Sequence, residues 1–268
     1  MQNNYTKNDV LLQANNVNLQ YGEKQILRDI NFSVHDIQRP DVAQGQVVSL
    51  IGRSGIGKTQ LFRILAGLIK PTSGTVLIDA DQHPVKAGEM GIVPQNYVLF
   101  NHRTIYQNLR IGLDNAATTL SDAEKKQIIA DYADAFGLSE HLKKYPAQIS
   151  GGQRQRVSII QQVLTGNKFI LLDEPFSGLD ILIIDKVINL LLKVSTLQEH
   201  NTLIIVSHDI ENAAAISDAV WVLAAEDGKP GATIVKEYDL CHIGLAWAPD
   251  IRTNPDFAAL IRDIKARL

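Results

Sequence analysis

The chain has 268 residues, 45% of them hydrophobic, so it can bury a globular core as one large domain or two small ones. Its 26 basic and 29 acidic residues give a net charge of -3, which argues against a nucleic-acid or anionic-membrane partner held by overall positive charge, although a local basic patch stays open. The single cysteine, Cys241, excludes an internal disulfide and a cysteine cluster around a metal, and we interpret it as a small packed or exposed thiol in a reducing compartment.

The N-terminal and apolar segments predict a soluble chain. Residues 1–9 are polar and lack the apolar segment of a secretory signal. No stretch approaches the roughly 18 consecutive apolar residues that a membrane span needs. The longest candidate, Ile181 to Val194, is interrupted by Asp185, Lys186, Asn189 and Lys193. We therefore expect membrane association only through partner chains.

Short β-branched runs alternate with helical patterns, which is typical of parallel strands joined by crossover helices. The predicted strands are Val47–Ile51, Thr75–Ile78, Phe169–Leu172, Thr202–Val206 and Ala219–Leu223. Phe169–Leu172 and Leu203–Val206 are apolar without alternation, so we predict central strands covered on both faces. Thr75–Ile78 follows a Pro-Thr-Ser-Gly turn and is predicted to be an antiparallel edge strand. The fold class is α/β, with a mostly parallel sheet and antiparallel edge strands.

Helical signals replace strand signals over residues 96–165, which predicts a helical subdomain inserted into the sheet. A capping box at Ser121 opens a helix there that ends at Gly137. The C-terminal extension, residues 241–268, contains another helix with Asn254 as its N-cap. Its apolar stripe consists of Phe257, Leu260, Ile261, Ile264 and Leu268. We expect a single domain without a separate regulatory unit, its core formed by residues 1–95 and 166–240.

A glycine-rich loop follows the predicted strand Val47–Ile51 and matches the phosphate-binding pattern G-x-x-x-x-G-K-S/T. The loop consists of Gly52, Arg53, Ser54, Gly55, Ile56, Gly57, Lys58 and Thr59. Its glycines let backbone N–H groups turn toward phosphate oxygens, and the helix predicted over Gln60 to Leu68 adds partial positive charge. Lys58 is suited to the outer phosphates and the Thr59 hydroxyl to a magnesium ion. A structural glycine turn would not explain the Lys-Thr pair, so we predict nucleotide binding.

Two carboxylates, Asp173 and Glu174, end the apolar run Phe169–Leu172. Ligands bind at the carboxyl edge of the sheet in open α/β folds. We predict that Asp173 holds magnesium, directly or through water, and that Glu174 is the general base for an attacking water. Acidic residues at strand ends are common, and it is the phosphate-binding loop that favours the functional interpretation.

A second candidate anion site is Ile149-Ser-Gly-Gly-Gln-Arg154, at the start of a helix predicted over Gln153 to Leu164. It combines a hydroxyl, exposed N–H groups and a helix N-terminus, contributed by Ser150, Gly151, Gly152 and Gln153. A plain N-cap at Ser150 is the alternative explanation. One nucleotide contacts both glycine-rich loops only if they face each other.

In this order along the chain, the motifs resemble those of the ATP-binding subunit of an ABC transporter, from Tyr21 to about Val222. Residues Ile149–Gln153 resemble the family signature Leu-Ser-Gly-Gly-Gln, with Ile149 in place of leucine. After it, Ile160-Gln161-Gln162 departs from the usual Ala-Arg-Ala. The stretch Asp36 to Gln44 is longer than the turn that usually precedes the strand of the phosphate-binding loop, here Val47–Ile51.

Further positions match the family one by one. They are Gln95 at the Q-loop glutamine, Asp180 in the D-loop sequence Ser177-Gly-Leu-Asp180, His208 at the switch histidine, Tyr21 at the aromatic residue that stacks on adenine, and Gln60, where a second hydroxyl residue is common. Tyr21, Gln60 and Asp180 are therefore grouped with the residues that contact the nucleotide.

The resemblance implies a head-to-tail pair of chains with two ATP molecules between them. Each ATP is expected between Gly52–Thr59 of one chain and Ser150–Gln153 of the other. His208 is expected to contact the γ-phosphate and, with Glu174, to orient the attacking water. The implied magnesium ligands are Thr59, Gln95 and Asp173, and Gln95 is also expected to act in catalysis by linking the magnesium ion and the attacking water to the helical subdomain.

The implied function is an ATPase that powers transport through transmembrane permease subunits, at the cytoplasmic face of the inner membrane. Pro94 to Phe100 resembles the permease-docking segment of importers of small solutes, most of all the nitrate, sulfonate and taurine group. Such importers also use a solute-binding protein. The solute itself stays open, as does the direction of transport.

Two alternatives remain. A soluble ABC-type switch that acts on a ribosome or DNA usually carries two such domains, a long coiled coil or zinc-binding cysteines, and the sequence has none of these. A regulatory subunit that binds ATP without turnover is the other, and Glu174 and His208 argue against it.

Overall fold

The computed structural model describes residues 5–38, 45–116, 119–177, 181–196, 201–248 and 250–268, apart from the side chains of residues 181–183. Its strands are β1 Thr6–Tyr21, β2 Lys24–Gln38, β3 Gln46–Gly52, β4 Ser73–Ile78, β5 His83–Pro84, β6 Met90–Val93, β7 Phe169–Asp173, β8 Thr202–Ser207, β9 Ala219–Ala225 and β10 Ala232–Asp239. Its α-helices are α1 Lys58–Leu65, α2 Ile105–Asn115, α3 Asp122–Ala135, α4 Gly151–Val163, α5 Ile181–Ser195, α6 Ile210–Ala215 and α7 Pro255–Ala266. Short 3₁₀ turns occupy Ser139–His141, Pro146–Gln148 and Ile251–Thr253.

The described strands form one sheet in the order β5-β4-β1-β2-β10-β9-β3-β8-β7-β6. Strands β9, β3, β8, β7 and β6 run parallel to their neighbours within this group. Strands β5, β4, β1 and β2 pair antiparallel, and β10 pairs antiparallel with β9. The predicted α/β class with antiparallel strands is confirmed, and the antiparallel part extends well beyond Thr75–Ile78, the one such strand that the sequence located.

Successive side chains of a central strand point to opposite faces of the sheet, so the core is divided between the two faces. In β3, Val47 and Ile51 pack on one face, whereas Val48 and Leu50 pack on the other. All residues of β3 and β8 are buried, as expected for strands covered by structure on both sides. Helix α1 covers the face of Val48, and helices α2 to α7 lie on the opposite face. Because β3, β7 and β8 run parallel, their carboxyl ends lie at the same edge of the sheet.

The helix caps predicted at Ser121 and Asn254 agree with the structure. The predicted Ser121 capping box is present, and Gly137 follows α3 with a φ of 64°. Asn254 caps α7 as predicted, and the apolar stripe Phe257, Leu260, Ile261 and Ile264 is buried. Cys241 is buried as well, and its Sγ donates to Asp218 Oδ1 at 3.4 Å.

The predicted boundaries of two helices were wrong. Helix α1 spans Lys58–Leu65 instead of Gln60 to Leu68, because Gly57 is its N-cap and Gly67, with a φ of 68°, turns the chain away after it. Helix α4 starts at Gly151 instead of Gln153, because the Ser150 side chain caps it. Both helices thus begin inside the glycine-rich motifs, with their first N–H groups at the predicted anion sites.

The structure also contains strands that the sequence did not indicate. The long hairpin β1 and β2, the short strands β5 and β6, and β10 were all missed. Thr75–Ile78 lies in β4 and pairs antiparallel as predicted, but β5 forms the outermost position beyond it. Within the described residues, no helix combines the length and apolar character needed to cross a bilayer.

Candidate functional site

A polar cleft of about 460 Å³ opens at the carboxyl ends of β3 and β7. It is lined by Tyr21, Ile26, Ser54, Gly55, Gly57, Lys58, Thr59, Gln60, Gln95, Asp173 and Glu174. These residues come from the first hairpin, the glycine loop, the segment after β6 and the end of β7. The fold therefore brings together most of the residues that the sequence predicted around one nucleotide.

The backbone of the glycine loop requires glycine at specific positions. Gly55 and Gly57 have φ values of 81° and 118°, which other residues rarely adopt. At Gly52 a Cβ would lie 2.7 Å from the carbonyl oxygen of Leu223. Gly57 caps α1 without a side-chain hydrogen bond, so the first N–H groups of this helix face the cleft uncapped by any side chain. This is the arrangement that binds phosphate at helix N-termini.

Lys58 is the buried cation of the loop, only 7% exposed. Its Nζ donates to the carbonyl oxygens of Gly52 at 2.8 Å and Arg53 at 3.2 Å, and lies 3.5 Å from Glu174 Oε1. The loop thus holds an ammonium group at the floor of the cleft, next to the predicted general base. A buried ammonium in this position favours an anionic ligand.

Glu174 lies at the meeting point of the strands β7 and β8. Its Oε2 accepts hydrogen bonds from Ser207 Oγ and the backbone N–H of His208, each at 3.2 Å, and lies 2.8 Å from His208 Nδ1. Glu174 has a φ of 52°, a left-handed conformation that is uncommon outside glycine. The sequence predicted that Glu174 and His208 act together, and the structure places their side chains in contact.

Asp173 is half-buried beside Glu174. Burial, followed by the negative charge of Glu174, raises the pKa of Asp173, although Lys58 and Arg63 act in the opposite direction. The ionised carboxylate is therefore poorly compensated by the protein alone. A cation bound in the cleft would supply that compensation.

The other predicted contacts around the cleft differ in kind. Tyr21 is 52% exposed, as suits a ring that stacks on a base, and its hydroxyl donates to Gln60 Oε1 at 3.0 Å. Gln95 is exposed, and its Nε2 donates to Ser177 Oγ at 3.1 Å. Arg53 points elsewhere, with its Nη1 3.4 Å from the backbone oxygen of Leu268.

The second glycine-rich motif lies away from this cleft. Ser150, Gly151, Gly152 and Gln153 are not among the lining residues. Ser150 Oγ accepts from the Gln153 backbone N–H at 3.3 Å, and Gln153 Oε1 accepts from the Ser150 backbone N–H at 2.8 Å, which completes a capping box. The capping explanation of Ser150 is therefore confirmed, and the anion site at this motif stays a prediction. Asp180 lies outside the described residues.

Sequence reasoning missed two residues of the site. Ile26 lines the cleft from the start of β2, and Ser207 holds Glu174 from the end of β8. Ser207 ends the buried strand β8 directly before His208, which is a signal that was available. Ile26 lies in a hairpin that the sequence did not reveal.

Comparison with known proteins identifies similar chains. A family model described as ABC transporter matches residues 36–177, just over half of the chain. The chain is 35% identical to the bicarbonate transport ATP-binding protein CmpC of Synechococcus elongatus, over 70% of this chain and 28% of that protein. It is 35% identical to the sulfate/thiosulfate import ATP-binding protein CysA of Pectobacterium atrosepticum, over 79% of this chain and 63% of that protein. The chain thus spans less than two thirds of either relative.

Solved structures share the fold. The protein cbiO1 of Clostridium perfringens, part of the ABC transporter complex cbiONQ, superposes with a TM-score of 0.74 at 24% identity and covers 97% of this chain and 96% of its own. A dimeric ATP-binding cassette in a post-hydrolysis state with ADP and phosphate superposes with a TM-score of 0.67 at 26% identity, covering 86% of this chain and 99% of its own.

Proposed function

Because the chain belongs to the ABC transporter family, whose ATP-binding members hydrolyse ATP, we propose that it is the ATPase subunit that powers solute transport through partner permeases. One observation carries the proposal. Glu174, the predicted general base, lines the cleft beside Asp173. It lies 3.5 Å from Nζ of Lys58 in the glycine loop and 2.8 Å from Nδ1 of His208. A phosphate-binding loop that only positioned a nucleotide would not require this arrangement.

The proposed reaction is the attack of water on the γ-phosphate of ATP, which breaks the bond to the β-phosphate and yields ADP and phosphate. The N–H groups of the glycine loop and Lys58 hold the phosphates. Tyr21 stacks on the adenine. Glu174 accepts a proton from the attacking water, and His208 orients Glu174 and contacts the γ-phosphate.

The donor set in the cleft fits Mg²⁺. This ion prefers oxygen ligands and is usually held by one or two carboxylates together with substrate phosphates. Asp173 offers a carboxylate, and its negative charge is disfavoured by burial and by the neighbouring Glu174. Thr59 offers a hydroxyl and Gln95 an amide oxygen. The bound ion would neutralise charge on the phosphates as the bond to the leaving group breaks.

We further propose that the complete site needs a second copy of the chain. Ser150–Gln153 does not line the cleft of its own chain, yet α4 begins there with accessible glycine N–H groups. In a head-to-tail pair this motif would face the ATP held by the glycine loop of the other copy. The related cassette that was solved as a dimer with ADP and phosphate supports such a pair.

The proposed partners are permease subunits at the cytoplasmic face of the inner membrane, together with a solute-binding protein. The segment after Gln95 exposes Val98 to 63% and Phe100 to 48%, and these apolar side chains suit a protein partner. The relatives named for bicarbonate and for sulfate or thiosulfate support an importer of a small oxyanion. Such a solute is consistent with the nitrate, sulfonate and taurine group that the sequence resembles.

The variant Glu174→Gln tests the ATPase proposal. Glutamine keeps the size of the side chain and an oxygen that accepts the Ser207 and His208 hydrogen bonds, but it is not a base. We expect ATP affinity to be retained and kcat to fall by about 10² to 10⁴-fold. The control is Glu211→Gln, which changes an exposed glutamate of α6.

Turnover of Glu174→Gln at the wild-type rate would refute the assignment of the base. A second measurement, affinity purification from the native host, tests the transport proposal. Copurification of a membrane-spanning permease is the expected result. Recovery with ribosomes or DNA and without a permease would favour a soluble switch instead.

A further inference from the structure

The loop that follows β7 is tied to two other segments by side chains that no motif predicted. We call residues Glu174–Ser177 the base loop, because it begins with the proposed general base. The carbonyl oxygen of Pro175 accepts hydrogen bonds from Gln155 Nε2 at 3.0 Å and from the Tyr97 hydroxyl at 3.3 Å. Two donors from different parts of the chain thus converge on one carbonyl next to Glu174.

These two hydrogen bonds hold the base loop in place, because the groups that form them are largely buried. Pro175 is buried, and Gln155 is only 1% exposed. A buried carbonyl that loses its donors keeps the cost of its desolvation, so it is held firmly where donors are present. Burial raises the pKa of Tyr97 to about 12, so its hydroxyl keeps its proton and donates at any physiological pH.

The backbone on both sides of this contact is strained. Glu174 and Tyr97 have φ values of 52° and 45°, in the left-handed region that disfavours residues with a Cβ. Such conformations persist only where the surrounding contacts fix them. For Glu174, these contacts are Ser207 and His208 on the carboxylate and the anchored Pro175 carbonyl on the following peptide.

We propose that Tyr97 and Gln155 are positioning residues for hydrolysis, which hold the Pro175 carbonyl and thereby aim the Glu174 carboxylate into the cleft. This deepens the proposed ATPase function and rests on it. Tyr97 lies two residues after Gln95, beside the exposed apolar segment, and Gln155 lies in the helix that Ser150 caps. A displacement of either segment therefore reaches the general base through a single carbonyl.

Two near-isosteric variants remove one donor each. Tyr97→Phe deletes the hydroxyl, and Gln155→Met deletes the amide N–H; the Gln155 Oε1 that is also lost makes no hydrogen bond to any described residue. The matched controls are Tyr132→Phe, a half-buried tyrosine of α3, and Gln161→Met, a buried glutamine of α4 that donates to Asn108 O instead.

We expect each test variant to lower kcat about fivefold, and the double variant about 25-fold or more, as the loss of one and two such hydrogen bonds predicts. The affinity for ATP, measured by calorimetry, and the KM should stay within about twofold of the wild type, since neither residue lines the cleft. The controls should keep their kcat. Test variants with the kcat of their controls, or with the loss confined to KM, would overturn the proposal.

The Glu174→Gln background separates positioning from a general structural role. If Tyr97 acts through Glu174, then Tyr97→Phe should change the residual rate of Glu174→Gln by less than about twofold, because effects within one functional unit are not additive. A further fivefold loss would overturn the inference. A wild-type chain that fails to hydrolyse ATP with its partners would refute the proposed function itself, whereas an active wild type with unaffected test variants refutes only the positioning role.

Discussion

Replacing Asp173 by asparagine should make the protein more stable and less active at the same time. The carboxylate is half-buried beside Glu174, and Lys58 is shared with two backbone carbonyls and Glu174. Asparagine removes the disfavoured charge and keeps the shape. Substitutions that relieve a functional site in this way yield about 0.5–2 kcal/mol. For a chain of this size each kcal/mol corresponds to about 2–4 °C in Tm.

The raised pKa of Asp173 determines how the stability difference between Asp173→Asn and the wild type changes with pH. Below the ordinary aspartate pKa of about 3.9, Asp173 is protonated in both the folded and the unfolded wild type, so it costs the fold nothing. As pH rises through the raised pKa of the folded state, burial penalises the anion and stability is lost. Asp173→Asn avoids this loss, so its advantage over the wild type should be present at pH 8 and vanish toward pH 4.

Differential scanning calorimetry with a chelator and without nucleotide measures this difference. Asp131→Asn is the control, because Asp131 is an exposed residue of α3 whose neutralisation should shift Tm by less than about 1 °C. Addition of Mg²⁺ and ATP should stabilise the wild type more than Asp173→Asn, because the ion compensates the carboxylate. A lower Tm for Asp173→Asn at pH 8, or an advantage that grows toward pH 4, would refute the reasoning.

Five further substitutions test other parts of the account. Ser121→Ala and Ser150→Ala each remove a helix-capping side chain, so each should lower the free energy of unfolding by about 1 kcal/mol, measured by thermal unfolding. Only Ser150→Ala should also lower the ATPase rate. Tyr21→Phe should retain the ATP affinity that Tyr21→Ala loses by roughly tenfold in a fluorescent-nucleotide titration, because stacking of about 1.4 kcal/mol needs the ring and not the hydroxyl. Gly57→Ala places a Cβ 3.0 Å from a methyl of Leu27 at a φ of 118°, so equilibrium binding of ATP should weaken at least tenfold; unchanged affinity would contradict the loop geometry.

The half of the site around the glycine loop was predictable because its motif is contiguous. A strand, a glycine loop and a helix follow each other within Val47 to Leu65, so the sequence itself contains the geometry. The positions of Asp173 and Glu174 were equally predictable, since a buried parallel strand must present its carboxyl end at the same edge of the sheet. The helix caps at Ser121 and Asn254 were predictable for the same local reason.

The first hairpin was not predicted because irregularities interrupt its alternation. Leu12 and Ala14 are buried on one face, and the register then shifts before Val17 and Leu19, where Asn16 adopts a φ of 47°. A bulge of this kind breaks a period-2 pattern without ending the strand. Ile26 was missed as a residue of the cleft for that reason.

The contacts at Pro175 were unpredictable for another reason. Tyr97 and Gln155 lie 78 and 20 residues from Pro175 along the chain, and each meets it only after the sheet and α4 have packed. Neither residue carries a local signal of this contact. Their positions depend on tertiary packing, which a motif does not record.

The central claim is that each ATP site is shared between two copies, and co-expression of two variants tests it most directly. Glu174→Gln removes the base from one half of the site. Gly151→Glu places a negative charge in the other half, at an exposed helical position where an added Cβ meets no atom within 4 Å. In a head-to-tail pair of one chain of each kind, one of the two sites has both halves intact.

Each variant alone should be almost inactive in the ATPase assay. Co-expression in equal amounts should restore about a quarter of the wild-type rate, because half of the pairs are mixed and each mixed pair has one complete site. Co-expressed chains that are as inactive as the separate variants, or a Gly151→Glu chain that is fully active alone, would contradict the shared site.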